Sequence, residues 1–335
     1  MKKIIIISIG IICLAIGSYL MWQSGKPDPG EIYTTAQFET QGLVSLDDFV
    51  KHKKAEELKL SKKDLEIKVS FLPDLSLNKE QLSTTLSSVI KEKIENSDLV
   101  FANLNNPIDD SFILSDAGFD VLNLGNDTIV KDGGDDLIAT INALQNSEID
   151  ICGATVGGES RLKIVNSDGI KFGFLCYSYG PLEQRADENS AGIFIMDLKT
   201  LKEDITAYRR EVNFLIVSMH SGTQNDHKVS KSQTDFAHSA IDLGADFVIG
   251  SGSNSVAKAE VYKNRYILYG LGNFIYNENW PESALEGVIA EVVFNLEGVK
   301  KIDFYPVKIV DNKPQFVSEE NKMDILNYLE LDFEE

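Results

Sequence analysis

Short apolar runs alternate with amphipathic helical stretches from about residue 67 onward, and this alternation constrains the fold of the 335-residue chain more than any other feature. "EIKVSFLPDLSL" reads as a strand, "NKEQLSTTLSSVIKEKIENS" as an amphipathic helix, and "DLVFANL" as a second, buried strand. The pattern continues through "FDVLNLG", helical "DDLIATINALQNS", "IDICGA", the hairpin-like pair "RLKIVNSDG" and "IKFGFLCYSY", and helical "DLKTLKEDITAYRR". "VNFLIVSMH", helical "KSQTDFAHSAIDLG", "ADFVIGSG" and the antiparallel-looking "AKAEVYKNRYILYGLGNF" follow, and "EGVIAEVVFNLEGVKKIDFYPVKIV" adds further strands. Such a pattern predicts an α/β domain with mixed sheets over 67–310, followed by an acidic tail over 311–335.

The N-terminus carries a different signal. After "MKK", the nineteen residues Ile4 to Trp22 hold no charge, which is long enough to cross a hydrocarbon core. Lys2 and Lys3 would stay on the cytoplasmic side. A membrane helix over 1–22 is therefore expected, then a turn-rich linker with a short helical appendage over 23–66. A cleaved signal peptide with Ala15-Ile16-Gly17 as its processing site is the alternative. Both readings put the main domain outside the cytoplasm, anchored in the cell membrane in the first case and secreted in the second.

The formal net charge of −20 argues against nucleic acid and against an anionic bilayer surface, since an acidic field repels both. Cys13, Cys152 and Cys176 follow no zinc or redox spacing. Cys152 and Cys176 each sit in strand-like apolar sequence, so buried free thiols are expected, although an extracytoplasmic setting permits a disulfide.

Chemistry in an α/β fold concentrates in the loops at strand ends, here "LPDLS", "ANLNNP", "LGNDTIVKDGG", "MHSGTQ", "GSGSNS" and "LGNFIYNE". They contain no Gly-x-Ser-x-Gly elbow, P-loop or dinucleotide fingerprint. Of four histidines, His220 alone follows a buried strand into a glycine-containing loop; His238 reads as packed on a helix and His227 as solvated. One histidine cannot assemble a two-cation site, and Asp74 with Asp127 or Asp132 is the best oxygen set for Mg²⁺ or Ca²⁺. "DGGDD" at 132–136 reads as a helix start, and Tyr177, Tyr179, Tyr269 and Tyr276 as packing residues with a groove as the alternative.

Taken together, these loops resemble the CapA family, poly-γ-glutamate capsule synthesis proteins with a calcineurin-like metallophosphoesterase fold. The resemblance covers roughly 67–310. Its most specific stretch is "LGADFVIGSGSNSVAKAEVYKNRYILYGLGNFIYNE", where Gly244-Ala245-Asp246, Gly250, Glu260, Tyr262 and Leu271-Gly272-Asn273-Phe274 match without a gap. "SDLVFANLNNPI" is similar to the family's Asn-Leu-Glu-x-Pro segment, "AGFDVLNLGNDTIVKDGG" to its Asn-Asn-His-x-x-Asp-x-Gly segment, and "VSMHSGTQ" to its His-Trp-Gly-x-Glu segment. The resemblance implies a layered α/β/β/α sandwich with mixed sheets.

It also implies a metal site that this chain has lost. Ser251, Gly252 and Asn254 stand at the family's histidine positions, Asn105 and Gln224 at glutamates, Thr128 at a histidine and Lys131 at an aspartate. Asp74 matches the first aspartate, Asn126 retains an amide and His220 an imidazole. The expected catalytic or metal candidates are thus Asp74, Asn126 and His220, and the expected binding positions are Asn105, Asp127, Thr128, Gln224, Ser251 and Asn254. No cofactor is expected; a single weakly bound divalent cation is the alternative. The implied role is a non-catalytic binding or assembly subunit beside a capsule polymer or its membrane-bound synthase. Further alternatives are a hydrolase or transferase with a reduced site, or an envelope module that binds a small ligand or another protein. Lys228, Lys231 and Lys258 are candidates for a basic patch toward an acidic polymer.

Overall fold

The computed structural model describes residues 65–77, 86–109, 111–130, 134–157, 160–276 and 281–330. The expected membrane helix over 1–22 and nearly all of the 23–66 linker and appendage lie outside them, as do Lys131 and Asp132. Among the described residues no helix is long and apolar enough to cross a membrane.

The first sheet runs in the order β17 (Lys313–Phe316), β16 (Gly298–Val310), β15 (Glu286–Asn295), β1 (Ile67–Phe71), β3 (Leu99–Asn103), β4 (Val121–Asn123) and β5 (Asp150–Cys152). The second runs β12 (Val256–Tyr262), β13 (Arg265–Leu271), β11 (Phe247–Ser251), β10 (Phe214–His220), β8 (Ile170–Ser178) and β7 (Leu162–Ser167). Two short pairs complete the set, β2 (Asp74–Leu75) with β14 (Asn273–Ile275) and β6 (Ala154–Thr155) with β9 (Gly192–Ile193). Both sheets are mixed, as expected. Strands β1, β3, β4 and β5 are parallel in one, and β8, β10, β11 and β13 in the other, with antiparallel strands added at the edges.

Because successive strand residues face opposite ways, each buried strand serves two layers. In β8, Phe172, Phe174 and Cys176 face the first sheet, whereas Leu175 and Tyr177 face helices. The inter-sheet layer is aromatic: Phe71 stacks on Phe247 at 5.0 Å and Phe101 on Phe174 at 5.3 Å. Helices α1 (Ser88–Glu95) and α3 (Gly134–Asn146) cover the first sheet through Ile90, Ile94, Leu137, Ile141 and Leu144; α2 (Phe112–Asp116) lies between them in sequence. On the second sheet, α4 (Leu198–Tyr208) and α5 (Lys231–Leu243) contribute Leu201, Ile205, Phe236, Ala237 and Ala240. The layering is therefore α/β/β/α. Capping fixes where these helices begin: Ser87, Asp197 and Ser230 each accept a first-turn N–H, and Ser230 forms a full capping box with Gln233.

Three expectations change. The fold continues beyond Val310, because β17 pairs with β16, and α6 (Lys322–Leu326) with Leu329 inserts Ile325, Leu326 and Leu329 into the inter-sheet layer. A few apolar residues spaced within a charged segment thus tie the expected tail to the core. His227 is not a solvated loop residue: its ring stacks on Tyr328 at 3.7 Å and Nδ1 lies 2.7 Å from the Val256 carbonyl oxygen. Cys152 and Cys176 are not free thiols but a disulfide.

That bond joins β5 of the first sheet to β8 of the second. Their Cα atoms are 5.6 Å apart, within the usual span for a disulfide, because both side chains point into the inter-sheet layer. The cysteines are 24 residues apart in sequence, so closing this loop should restrict the unfolded chain by about 3 kcal/mol. Replacing both cysteines by alanine is expected to lower the unfolding free energy by about that amount, read from urea midpoints of oxidised wild type and variant.

Candidate functional site

The C-terminal ends of the parallel strands from both sheets meet at one edge of the sandwich, the position where open α/β sheets place ligands. Asp74 follows β1, Asn105 follows β3, Asp127 and Thr128 follow β4, and Tyr179 follows β8. His220 ends β10, and Gly252 and Asn254 follow β11. The loops enclose a cavity of about 510 Å³ lined by Asn105, Asp127, Thr128, His220, Gln224 and Asn254, with Tyr179, Tyr276 and Ser76 among the other lining groups. Every expected binding position except Ser251 lines it, and Ser251 lies directly behind, its Oγ 3.0 Å from His220 Nδ1.

Asp74 is buried beneath this cavity. Its Oδ2 accepts from the Gly252 N–H at 3.2 Å, and the side chains of Asn105 and Asn103 also hydrogen-bond it. Burial outweighs those bonds and pushes its carboxyl up to about 7. Behind it runs a relay of amides: Asn123 Nδ2 donates to Asn103 Oδ1 at 3.2 Å, and Asn103 Nδ2 donates to Asn105 Oδ1 at 2.6 Å. Sequence reasoning missed Asn103 and Asn123, which sit at the ends of apolar strands and read as their last residues. The signal available was an asparagine closing each of two successive buried strands.

Asn126 does not face the cavity. Its Nδ2 donates to the Leu104 carbonyl at 2.7 Å, while Oδ1 accepts from Thr128 Oγ1 at 2.7 Å and from the Ile129 N–H at 2.9 Å. The amide is the internal brace of its loop rather than a ligand, which removes it from the catalytic and metal candidates.

His220 is buried as well, and desolvation drives its ring down to about 4, against a smaller upward pull from Asp127. Gly252 explains how the ring fits. This residue has φ +97°, and a Cβ built there would lie 2.9 Å from His220 Nε2, so only glycine lets the loop cross the imidazole face. Gly250 is required for a different reason: its Cβ would fall 2.2 Å from the Tyr269 carbonyl oxygen, where β11 and β13 pair. The rest of "GSGSNS" is held by its own groups. Ser253 Oγ donates to the Ser255 carbonyl at 3.0 Å, and Asn273 Nδ2 reaches the Asn254 carbonyl at 3.4 Å. On the other side, Gln233 of the α5 capping box donates to the Ser221 carbonyl at 2.9 Å, fixing the loop after His220.

These donors do not fit a two-cation centre. Among the described residues no three His, Cys, Asp or Glu side chains converge as metal ligands. His220 Nδ1 is held by Ser251, Asp74 by Gly252 and two asparagines, and Asn126 by its loop. The candidates for a basic patch, Lys228, Lys231 and Lys258, lie away from the cavity. Lys231 pairs with Asp235 at 2.6 Å, Lys258 lies 3.9 Å from Glu260, and neither they nor Lys228 line it. The four tyrosines divide: Tyr177 and Tyr269 are core residues donating to Asp204 and Glu260, each at 2.8 Å, whereas Tyr179 and Tyr276 line the cavity. His238 is held as expected of a packed residue, bonded to Glu260 at 2.8 Å and stacked on Tyr262 at 3.8 Å. Asp246 of the Gly-Ala-Asp match is structural too, accepting from the Leu215 N–H and pairing with Arg209 and Arg265.

The family model of the bacterial capsule synthesis protein PGA_cap matches residues 103–278, just over half of the chain and all but the first of the site loops. The chain belongs to this family. Capsule biosynthesis protein CapA of Bacillus anthracis is 26% identical over 212 residues, covering 61% of this chain and 51% of that protein. PGA biosynthesis protein CapA of Bacillus subtilis is 22% identical over 213 residues, covering 62% and 56%. The chain spans about half the length of these curated relatives. A solved phosphatase from Mycoplasma pneumoniae is 12% identical with a TM-score of 0.49, covering 80% of this chain and 98% of that one, a likeness too weak to add to the architecture given above.

Two titrations test the site. The His220 ring should stay neutral through mildly acidic pH, with an NMR midpoint near 4. Its depressed value means that the stability contributed by the neutral ring is present above the ordinary histidine value of about 6.5 and is lost as pH falls through about 4. Asp74 has the opposite sign. Its raised value means that the folded state holds the proton more tightly, so stability is lost as pH rises from about 4 to about 7. An Asp74→Asn variant should therefore gain on wild type across that window and hold the gain above it, measured by urea unfolding at stepped pH.

Proposed function

We propose that this chain is an extracytoplasmic subunit in the synthesis, export or attachment of a capsule polymer of the poly-γ-glutamate kind, and that its strand-end cavity binds rather than hydrolyses. The observation that carries the reading is the state of the retained polar groups. Asp74, Asn126 and His220 are each already engaged by protein atoms, and neutral amides and hydroxyls occupy the positions where the resemblance calls for imidazoles and carboxylates. Hydrolysis by a pair of cations needs such ligands converging at close range.

Family membership supports the capsule role. Anchoring through residues 4–22 and placement of the domain outside the cytoplasm rest on the apolar N-terminal run, and the Cys152–Cys176 bond supports an oxidising setting. In this arrangement the membrane helix holds the domain beside a membrane-bound synthase, and the rigid sandwich presents its loops to the polymer or to that partner.

The test uses the full chain in detergent, incubated with Mn²⁺, Zn²⁺ or Fe²⁺ and then desalted. No stoichiometric metal and no phosphoester or amide turnover are expected, while the same chain restores capsule in a strain lacking it. Stoichiometric metal that disappears in a His220→Gln variant would replace this reading with a hydrolase built on Asp74 and His220.

A further inference from the structure

The cavity wall on the side of the second sheet is made by two loops that run beside one another, and part of what holds them lies outside the cavity. The loop after β10 lends the wall Ser221, Gly222 and Gln224, and the loop after β11 lends it Gly252 and Asn254. Three hydrogen bonds zip the two together. The Ser221 N–H donates to the Ser251 carbonyl at 2.8 Å, the Asn225 N–H donates to the Ser253 carbonyl at 2.7 Å, and His227 Nδ1 lies 2.7 Å from the Val256 carbonyl oxygen. Little else secures the first loop. Gly222, Thr223 and Gln224 are exposed, and Asn225 takes the left-handed backbone, φ 58°, as Asn254 does across the zipper at φ 57°. A loop with few packed side chains and such a backbone keeps one conformation only where its surroundings impose it.

The imposing contact comes from the C-terminal segment. The Tyr328 ring lies on the ring of His227 with centroids 3.7 Å apart and planes within 6°, closing the end of the zipper away from the cavity. Helix α6 and the turn after it, Asn327–Leu329, are anchored in the inter-sheet layer by Ile325, Leu326 and Leu329, which leaves Tyr328 to reach over the loop while still 38% exposed. Residues 103–278, the span of the family match, hold both loops but not this segment. We infer that Tyr328 is a positioning residue for the cavity: by stacking on His227 it fixes the loop from Ser221 to His227, and with it the wall that presents Gln224. The inference rests on the reading of this cavity as a binding site. Tyr328 does not itself line the cavity. Its hold is transmitted by a tight turn between Gln224 and His227, in which the Asp226 N–H donates to the Thr223 carbonyl at 3.2 Å, so that displacing the ring displaces the wall. A wall already in place spares a ligand the cost of ordering it.

Amide hydrogen exchange, read by mass spectrometry on the full chain in detergent, tests this without any ligand. Tyr328→Ala should speed exchange in peptides from 221–229 about two- to tenfold, the range for one lost aromatic contact, and leave β8 and β10 at wild-type rates. Tyr328→Phe keeps the ring and should restore the wild-type rate, which a general loss of stability would not allow. His227→Ala breaks the same stack from the other side and should speed the same peptides. Unchanged exchange over 221–229 in Tyr328→Ala would overturn the inference, and so would an increase shared by the core strands or a failure of Tyr328→Phe to restore the rate. Binding is read separately, by calorimetry with a synthetic γ-linked glutamate tetramer. Affinity should fall by up to about tenfold in Tyr328→Ala and recover in Tyr328→Phe, because a loosened loop spends less time in its binding position. Equal affinity in all three proteins would also overturn the inference. A tetramer that fails to bind the wild type, beside the exchange pattern expected above, counts against the binding reading of the cavity and leaves the positioning of its wall by Tyr328 standing.

Discussion

Everything at the site depends on the buried aromatic layer between the two sheets. Phe71 and Phe101 from the first sheet meet Phe247 and Phe174 from the second in stacked pairs, and Phe294 receives Phe172 and Phe214. These contacts fix how far apart the sheets lie and how they are aligned. Parallel strands from two independent sheets end at a common edge because that alignment permits it, and the loops there belong to neither sheet alone. Asp74 opens β2, just after β1 of the first sheet, and Gly252 follows β11 of the second, so the hydrogen bond between them spans the join.

The electrostatics of that edge follow from burial. A carboxyl pushed up to about 7 and an imidazole held neutral lie on either side of Gly252, so near neutral pH the ring is uncharged and the carboxyl only partly ionised. The asparagine relay from Asn123 through Asn103 to Asn105 continues this pattern, using dipoles where charges would require partners. The surface is treated differently. Lysines there are paired with acids, as at Lys91–Asp116 and Lys263–Asp242, and the excess acid is left to solvent.

The sequence made the alternation of strands and helices plain because period two and period 3.6 are local properties. Strand β8, helix α5 and the hairpin-like turn between β12 and β13 are all where the pattern puts them. The strand-end loops were legible for the same reason, and most of the expected binding positions line one cavity. What stayed hidden depends on pairing between distant segments. Nothing in the spacing of Cys152 and Cys176 says that β5 and β8 face one another across two sheets. The amide of Asn126 could be assigned to its loop only once Leu104 and Ile129 were seen around it, and His227 only once the C-terminal segment had folded over it. Charge in residues 311–330 masked the few apolar side chains that join the core.

The crossing of Gly252 over the His220 ring bears on which side chains this loop can carry. A histidine placed at position 252 on its own would meet a left-handed backbone and, at 2.9 Å from its Cβ, the imidazole already beneath it. Side chain, loop and His220 would all have to shift to admit it. The loop therefore acts as a lock: while glycine lies over the ring, no single substitution at this position can add a side chain without moving the backbone or His220.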